Sequence, residues 1–255
     1  MAHKLLLKIT GGSDAVVPSA AHRQRSLGVR SPLVKIQHVW KQYRLGKVTV
    51  DALRGVSLAV EPGEFLAIAG PSGSGKTTVL NMIGCLDTPT SGTVVIDGAE
   101  VNGLRPSQLA ELRSKKIGFI FQTFNLIPVL TARENVEYPL LIQGVPASKR
   151  QAATANALEQ VGLAAVARHR PGELSGGQQQ RVAIARALVT GPSLVLADEP
   201  TANLDSHTAQ EIVELLLRLN RVEGVTCIFS THDPRVMKYA SRLVEMCDGQ
   251  IVANA

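Results

Sequence analysis

The sequence is poor in aromatic residues and in cysteine. Aromatic side chains make up 4% of the 255 residues, whereas hydrophobic residues make up 45%. This balance favours parallel strands covered by helices on both faces. The three cysteines, Cys85, Cys227 and Cys247, are far apart and form no C-x-x-C pair. Their number and spacing support neither a disulfide framework nor a zinc site, so we expect buried, reduced thiols.

Long apolar runs are also missing. No stretch of the sequence reaches the roughly 18 apolar residues that a membrane-spanning helix needs. The run Leu5-Leu6-Leu7 is shorter than the apolar core of a secretory signal. We therefore expect a cytoplasmic protein that docks to a membrane if it works at one. Its length suits one large α/β domain, or a core with one inserted subdomain.

Positive charge is concentrated at the start of the chain. The first 30 residues hold five basic residues and one acidic residue, so they carry +4 of the net charge of +6. We expect residues 1–32 to form a flexible basic extension, and residues 33–255 to form the ordered domain. A solvated tail and a contact with acidic lipid headgroups both stay open for the extension.

The pattern of apolar residues changes along the ordered domain. Its first part, up to residue 121, is rich in strands, and the part from about 123 to 190 is rich in helices. Three predicted helices lie there between two predicted strands, which indicates an inserted helical subdomain. The predicted strands are 34–40, 48–60, 64–69, 93–97, 117–121, 194–197, 226–230, 243–246 and 250–253, and the predicted helices start near 76, 131, 148, 176 and 208.

A glycine-rich loop follows the short apolar strand EFLAIA. The segment GPSGSGKTT matches G-x-x-x-x-G-K-[ST] and stands between a predicted strand and a predicted helix, which is the context of a phosphate-binding loop. Its backbone N–H groups and the helix N-terminus attract phosphate oxygens. We expect Lys76 at the β- and γ-phosphates of a nucleotide, Thr77 at Mg²⁺, and Thr78 beside the α-phosphate. The predicted nucleotide-binding residues of this loop are Gly70, Pro71, Ser72, Gly73, Ser74, Gly75, Lys76, Thr77 and Thr78.

Two carboxylates follow a second apolar strand, Leu194 to Ala197. Such a strand places Asp198 at the carboxyl edge of a parallel sheet, where ligands of open α/β sheets bind. Asp198 is predicted to hold Mg²⁺. Glu199 is predicted to act as the general base that polarises the water attacking the γ-phosphate.

The segment LSGGQQQR, at Leu174 to Arg181, resembles the signature of ATP-binding-cassette (ABC) ATPases. The resemblance covers about residues 33 to 253. It implies that Ser175, Gly176, Gly177 and Gln178 cap the γ-phosphate of ATP held by the phosphate loop of a second copy. One chain would thus carry two half-sites, and two copies would pair head to tail around two ATP molecules.

The same resemblance implies roles for four further residues. Gln122, after the strand IGFIF, is similar to the glutamine that senses Mg²⁺ and the attacking water. His232 in FSTHD is similar to the histidine that contacts the γ-phosphate. Asp205 in the segment NLD resembles a residue of the loop that crosses the dimer interface. Tyr43 resembles the aromatic residue that stacks on adenine, although a tyrosine of an edge strand also serves as core or rim.

Three longer phrases narrow the resemblance within ABC proteins. GCLDTPTSG, IGFIFQTFNLIPVLTARENVEYPLL and SGGQQQRVAIARAL are most similar to the ATP-binding subunits of lipoprotein-releasing (LolD) and macrolide-export (MacB) systems. That group transmits ATP-driven motion through the membrane. The resemblance implies that residues 123–128, with Phe124, Leu126 and Ile127, face an integral membrane permease subunit. Burial of these side chains in the helical subdomain is the alternative.

The sequence therefore predicts an α/β, P-loop NTPase fold of ABC type. It has a mixed RecA-like core, an N-terminal antiparallel β-region and an inserted helical subdomain. The predicted function is ATP hydrolysis with Mg²⁺, as a homodimer on membrane subunits, peripheral at the cytoplasmic face of the inner membrane. A regulator of cell-envelope remodelling stays open as an alternative. A soluble ABC ATPase acting on DNA or the ribosome is disfavoured, because the chain has one cassette and only about fifty residues between Gln122 and the signature, so we expect no nucleic-acid partner.

Overall fold

The computed structural model describes residues 31–46 and 48–255, so the predicted extension lies outside the described residues except for its last two positions. No helix in these ranges has the length and apolar character needed to cross a membrane. The strands are β1 (Val34–Leu45), β2 (Val48–Val60), β3 (Phe65–Ala69), β4 (Ser91–Ile96), β5 (Ala99–Glu100), β6 (Ile117–Ile120), β7 (Leu194–Ala197), β8 (Thr226–Thr231), β9 (Arg242–Cys247) and β10 (Gln250–Asn254). The helices are α1 (Lys76–Ile83), α2 (Pro106–Lys116), α3 (Ala132–Ile142), α4 (Ala147–Gln160), α5 (Gly176–Leu188), α6 (Ser206–Glu223) and α7 (Pro234–Met237).

The strands form two sheets of different character. One is antiparallel and has the order β2-β1-β4-β5. The other has the order β10-β9-β3-β8-β7-β6, in which only β10 runs antiparallel to its neighbour. Since parallel strands share one carboxyl edge, the residues that follow β3, β8 and β7 lie side by side. This strand order positions the site.

The central strands of the larger sheet are buried on both faces. In β3, Leu66 and Ile68 belong to a core cluster shared with the antiparallel sheet and α1. Phe65 and Ala67 alternate with them and belong to a second cluster, shared with α3, α4, α5 and α6. The period of two sends successive side chains to opposite faces. A continuous apolar run such as FLAIA therefore fits a strand covered on both sides.

In the helical segment between β6 and β7, the first helix begins at a sequence-coded cap. Thr131 caps α3 by accepting a hydrogen bond from the Glu134 N–H, and the Glu134 carboxylate accepts from the Thr131 N–H. Two short 3₁₀ turns, Ala164–Val166 and Pro171–Glu173, lie between α4 and α5. The helical subdomain at about 123–190 stays a prediction, because a subdomain is defined by its movement as a unit and one conformation does not test such movement.

The expectation of three buried thiols is wrong for one of them. Cys85 and Cys227 are buried, but Cys247 is exposed. Along β9 the burial alternates, so that Val244 and Met246 face the core while Cys247 faces solvent. Burial raises the pKa of the Cys227 thiol to about 12 and that of Cys85 to about 11, which keeps both groups protonated and unreactive at neutral pH.

Candidate functional site

A cleft of about 420 Å³ opens at the carboxyl edge of β3, β8 and β7. It brings together the phosphate loop that follows β3, the two carboxylates that follow β7, and the glutamine that follows β6. Its volume lies in the range of small-molecule sites. The lining residues are Val50, Asp51, Ala52, Ser72, Gly73, Gly75, Lys76, Thr77, Thr78, Gln122, Asp198 and Glu199.

Two glycines of the phosphate loop, Gly70 and Gly75, are required by close backbone packing. At Gly70, φ is +150°, and a Cβ atom would lie 2.2 Å from the carbonyl oxygen of Met246. At Gly75, φ is +102°, and a Cβ atom would lie 2.8 Å from the carbonyl oxygen of Ala52. Gly75 also caps α1, so its turn presents the first N–H groups of that helix to the cleft.

The ammonium group of Lys76 lies inside the phosphate loop. Its side chain is 5% exposed, and Nζ donates hydrogen bonds to the carbonyl oxygens of Gly70 and Pro71 at 2.8 and 2.9 Å. The same Nζ lies 3.8 Å from Oε1 of Glu199. A buried ammonium that contacts two carbonyl groups and one carboxylate among the described residues is suited to an anionic ligand.

A hydroxyl, from the residue that follows Lys76, meets a carboxylate in the same cleft. Thr77 Oγ1 donates to Oδ2 of Asp198 at 2.9 Å, and Ser230 Oγ donates to Oδ1 at 2.6 Å. In the part of the chain that the structure describes, no three His, Cys, Asp or Glu side chains are arranged so that they alone could hold a metal ion. Mg²⁺ needs no such cage, because it binds through one or two protein oxygens together with phosphate oxygens and waters. The paired oxygens of Thr77 and Asp198 therefore fit Mg²⁺ in the company of a nucleotide.

Glu199 is held in an uncommon backbone conformation. Its φ is +45°, which costs a residue with a side chain about 1–3 kcal/mol. The hydroxyl of Ser230 accepts a hydrogen bond from the Glu199 N–H at 2.8 Å. The Glu199 carboxylate lies between the Lys76 ammonium and the His232 ring, which becomes cationic when it is protonated. His232 Nδ1 is 3.1 Å from Oε2 of Glu199. The three predicted residues Lys76, Glu199 and His232 thus come together.

Gln122 lines this cleft, and His232 lies beside it, in contact with Glu199. Gln122 is exposed and lines the cleft, and its main-chain oxygen accepts a hydrogen bond from Asn203 Nδ2 at 2.9 Å. His232 is exposed over 63% of its side chain. Exposure of polar groups at the mouth of a cleft leaves them free to contact a further ligand or surface.

The signature residues form the start of α5 and lie outside the cleft lining. Ser175 Oγ accepts a hydrogen bond from the Gln178 N–H, and Gln178 Oε1 accepts from the Ser175 N–H, at 3.3 and 2.9 Å. This reciprocal cap leaves the N–H groups of Gly176 and Gly177 at an exposed helix N-terminus. Within one chain, these four predicted residues are therefore not brought to the phosphate loop.

Asp205 has a clear local role that the sequence reasoning missed. Its carboxylate caps α6 by accepting hydrogen bonds from the N–H groups of His207 and Thr208, both at 3.1 Å. The hydrogen bonds from Thr208 come first among the causes that lower the pKa of Asp205 below its ordinary value. Asp205 does not line the cleft, so a nucleotide contact of this residue stays a prediction for the dimer.

Tyr43 is anchored by its hydroxyl group. The hydroxyl donates to Oδ2 of Asp87 at 2.8 Å, while Lys41 Nζ donates to Oδ1 of Asp87 at 2.7 Å and lies 4.9 Å from the centre of the tyrosine ring. Burial, together with the bond to Asp87, raises the pKa of Tyr43 to about 12. Burial opposes ionisation of Asp87, but the hydrogen bonds from Lys41, Tyr43 and Thr88 outweigh it and lower the pKa of this carboxyl. Tyr43 does not line the cleft, and adenine stacking stays a prediction.

We expect Asp87→Asn to lower the free energy of unfolding by about 1–2 kcal/mol at pH 7, because charge-assisted hydrogen bonds to Lys41 and Tyr43 are lost. The folded pKa of Asp87 is lowered. Its stabilisation is therefore present above the unfolded value of 3.8 and disappears as the pH falls through the folded value. Urea unfolding of both proteins between pH 7 and pH 3.5 checks this, and their difference should shrink at the acidic end.

Asp97→Asn is the matched control for Asp87→Asn. Asp97 pairs with Lys116 at 2.8 Å, but both side chains are more than two-fifths exposed. Such surface pairs contribute about 0–1 kcal/mol. Equal losses at Asp87 and Asp97 would contradict a special role of the cluster around Tyr43.

The residues 123–128 are only partly available as a surface. Phe124, Leu126 and Ile127 are half-buried, and Leu126 packs against the second core cluster. Arg186 donates to the carbonyl oxygens of Phe124 and Asn125. Contact with a membrane subunit stays a prediction for this segment, which is tied to α5.

Sequence reasoning missed three groups that support the site. Ser230 holds both Asp198 and Glu199, and its signal was its place in FSTHD, next to the predicted His232. Asp87 lies in the phrase GCLDTPTSG, and nothing in that phrase indicates its hydrogen bond to Tyr43. Ala52 and its neighbours in β2 line the cleft without any motif of their own.

Comparisons with known proteins agree with this geometry. The sequence model of the ABC transporter family matches residues 53–202, and a model described as an AAA domain matches residues 168–238. An ABC transporter ATP-binding protein from Thermotoga maritima is 51% identical over 219 residues, which are 86% of this chain and 93% of that protein. The macrolide export ATP-binding/permease protein MacB of Syntrophobacter fumaroxidans is 53% identical over 222 residues. This match takes 86% of the chain but spans only 31% of MacB.

A solved structure is also similar to this chain. The ATP-binding cassette MJ0796 of Methanocaldococcus jannaschii, described as a dimer in a post-hydrolysis state bound to ADP and phosphate, superposes with a TM-score of 0.81. It is 46% identical, and the match covers 87% of this chain and 97% of that one. The predicted fold class is confirmed. The chain belongs to the ABC transporter family, as one of its ATP-binding and ATP-hydrolysing cassettes.

Proposed function

We propose that two copies of this chain pair head to tail and hydrolyse two ATP molecules, each held between the phosphate loop of one copy and the signature segment of the other. The observation that carries the proposal is the separation of the two half-sites. Residues 70–78 line the cleft beside Glu199, whereas residues 175–178 present a helix N-terminus elsewhere. A second copy supplies the missing half, and the dimeric arrangement described for MJ0796 supports this pairing.

The residues around the cleft divide the work of hydrolysis. Lys76 and the loop N–H groups bind the phosphates, and the loss of their anionic ligand would return Lys76 to its carbonyl partners. Glu199 polarises the attacking water and accepts its proton on a carboxylate oxygen. His232 holds Oε2 of Glu199 and orients the carboxylate. Gln122, at the mouth of the cleft, positions the water from the side of the helical segment.

Mg²⁺ is the metal that the donor set favours. Thr77 and Asp198 would hold it, with Gln122 as a further oxygen donor at the cleft. When bound, Mg²⁺ neutralises negative charge on the β- and γ-phosphates. Ser230 keeps the Asp198 carboxylate turned toward Thr77, so the chain itself fixes the orientation of this ligand.

Tyr43 is proposed to stack on the adenine ring at the far end of the bound nucleotide. The bond to Asp87 and the proximity of Lys41 hold its ring in place. Asp205 is proposed to reach the partner copy near its nucleotide, in addition to capping α6.

The membrane partner is proposed to bind in a groove between the core and the helical segment. The groove has a volume of about 390 Å³ and lies directly beside Gln122, since Phe121 contributes to its wall. Leu86, Tyr138 and Ile142 line it and are 47%, 41% and 66% exposed. Contiguous exposed apolar side chains mark an interaction surface. This groove offers more accessible apolar area than Phe124, Leu126 and Ile127 do.

We expect Tyr138→Ser combined with Ile142→Ser to abolish binding of the membrane subunit while basal ATPase stays within about twofold. Interface anchors commonly contribute about 2 kcal/mol or more each, so the loss of both should lower the affinity by about a thousandfold. Because both side chains are exposed, their loss should cost little folding free energy. Co-purification of the tagged chain with its permease from detergent-solubilised membranes measures the effect.

Val222→Ser combined with Val252→Ser is the control. These valines are 73% and 62% exposed and lie in α6 and β10, outside the groove. The control should keep its permease. Undiminished co-purification of the groove variant would place the docking surface elsewhere, with residues 123–128 as the next candidate.

The proposed place of action is the cytoplasmic face of the cell membrane, as a peripheral subunit of a MacB/LolD-like system that transmits motion. The 53% identity to part of MacB supports this subgroup. The residues of the nucleotide site do not specify which substrate or permease such a system has. The relatives named above are called transporter or export proteins. Those names do not favour an envelope-remodelling regulator or a soluble ABC ATPase.

A further inference from the structure

One buried amide is not accounted for by the proposed mechanism. Gln180 lies in α5 and its side chain is completely buried. Its Nε2 donates a hydrogen bond of 2.6 Å to the carbonyl oxygen of Pro200, and its Oε1 has no partner among the described residues. Burying an amide in an apolar core is unfavourable unless its hydrogen bonds are made. Because burial of the Gln180 amide is unfavourable and its side chain makes one hydrogen bond among the described residues, that bond points to a functional role.

The partner of Gln180 is next to the proposed general base. Pro200 directly follows Glu199, whose φ is +45°. On one side, the Glu199 N–H donates to Ser230 Oγ. On the other side, the carbonyl group after Glu199 accepts from Gln180. The main chain from which the Glu199 carboxylate projects is therefore fixed at two points, by β8 and by α5.

The same helix also carries the other half-site. Ser175 caps α5, and Gln180 follows five residues later, about 7.5 Å along the helix axis at about 1.5 Å per residue. A rigid helix of this length moves as one body. A shift of the signature segment against the partner's ATP would thus reach the Pro200 carbonyl of the same chain.

We propose that Gln180 is a positioning residue for ATP hydrolysis: it orients Glu199 through Pro200 and links the signature segment of each chain to the general base of that chain. The inference rests on the proposed role of Glu199. It predicts that ATP engaged by one half-site alters the geometry of hydrolysis at the other. Gln180 itself does not touch the nucleotide or the water.

The test compares Gln180→Met in two backgrounds, the parent chain and Glu199→Gln. In the parent chain we expect kcat to fall at least tenfold while KM for ATP changes less than about threefold. In the Glu199→Gln chain, where no base remains to be oriented, Gln180→Met should lower the residual single-turnover rate less than about twofold, because residues that act as a unit are non-additive. An equal loss in both backgrounds, or no loss in the parent, overturns the proposal.

Two further variants separate positioning from stability. Thr154→Val removes another completely buried polar group, the Thr154 hydroxyl of α4, which also has no partner among the described residues. This variant should leave kcat unchanged.

Gln180→Glu keeps the side-chain volume, and its carboxyl group can donate a hydrogen bond to the Pro200 carbonyl only when it is protonated. Its kcat relative to the parent should therefore rise as the pH falls from 8 to 6, since burial raises the pKa of a carboxyl. A flat ratio contradicts the proposal even if Gln180→Met does not fold. Full turnover by Glu199→Gln alone would instead refute the base assignment.

Discussion

Glu199→Gln should bind ATP with near-parental affinity and lose at least about 10²–10⁴-fold of its turnover, because an amide cannot accept the proton of the attacking water. The substitution keeps the side-chain length and leaves the Ser230 bond to the main-chain N–H in place. The bound triphosphate should therefore persist, and the closed dimer should accumulate. Steady-state phosphate release, together with size-exclusion chromatography in ATP, measures both consequences.

The control for this variant is Glu245→Gln. Glu245 is exposed on β9 and does not line the cleft, so its loss removes a charge of the same sign without touching Lys76 or His232. It should retain parental turnover and should not trap a dimer. If Glu199→Gln turned over ATP within about threefold of the parent, the carboxylate between Lys76 and His232 would have a purely structural function.

The phosphate loop and the two carboxylates could be predicted because each motif is local. A short apolar strand followed by glycines and a lysine specifies its own turn, and Leu194 to Ala197 forms β7 with the predicted bounds. The order of the strands in the sheet cannot be predicted from any local motif. β8 lies between β3 and β7, and this order brings His232 to Glu199 across 33 positions of sequence.

The errors in the predicted helices also have physical causes. Helix α2 was not predicted, because it covers the core with few side chains and only Leu109 is buried, so it has no strong apolar period. Helix α6 starts two residues earlier than expected, since Asp205 caps its start, and Gly224, with φ of +67°, ends it. The cap of Asp205 and the exposure of Cys247 both depend on where an element begins or ends, and element boundaries are the least reliable part of a prediction from sequence.

Ser175→Asp should prevent the ATP-dependent dimer, because it places a carboxylate where the partner's γ-phosphate is proposed to bind. Aspartate is as good a helix cap as serine, so the hydrogen bond from the Gln178 N–H is kept and the monomer should stay folded. Two charges at contact distance repel by about 1–4 kcal/mol near a protein surface, which weakens dimerisation by about fivefold to a thousandfold. Size-exclusion chromatography in the Glu199→Gln background, with ATP, shows the loss directly.

Ser175→Asn separates charge from shape. Asparagine also caps helices and has the size of aspartate, so this variant should dimerise far better than Ser175→Asp, and added salt should rescue only the charged one. Position 175 is preferable to Gly177, where a Cβ atom would lie 2.6 Å from Cγ2 of Thr208 and any substitution would disturb the contact of α5 with α6. Because residues 175–178 lie outside the cleft lining of their own chain, Ser175→Asp should bind ATP normally as a monomer. Lost ATP binding in the monomer, or an intact dimer, would mean that the signature segment does not act on the ATP of a second copy.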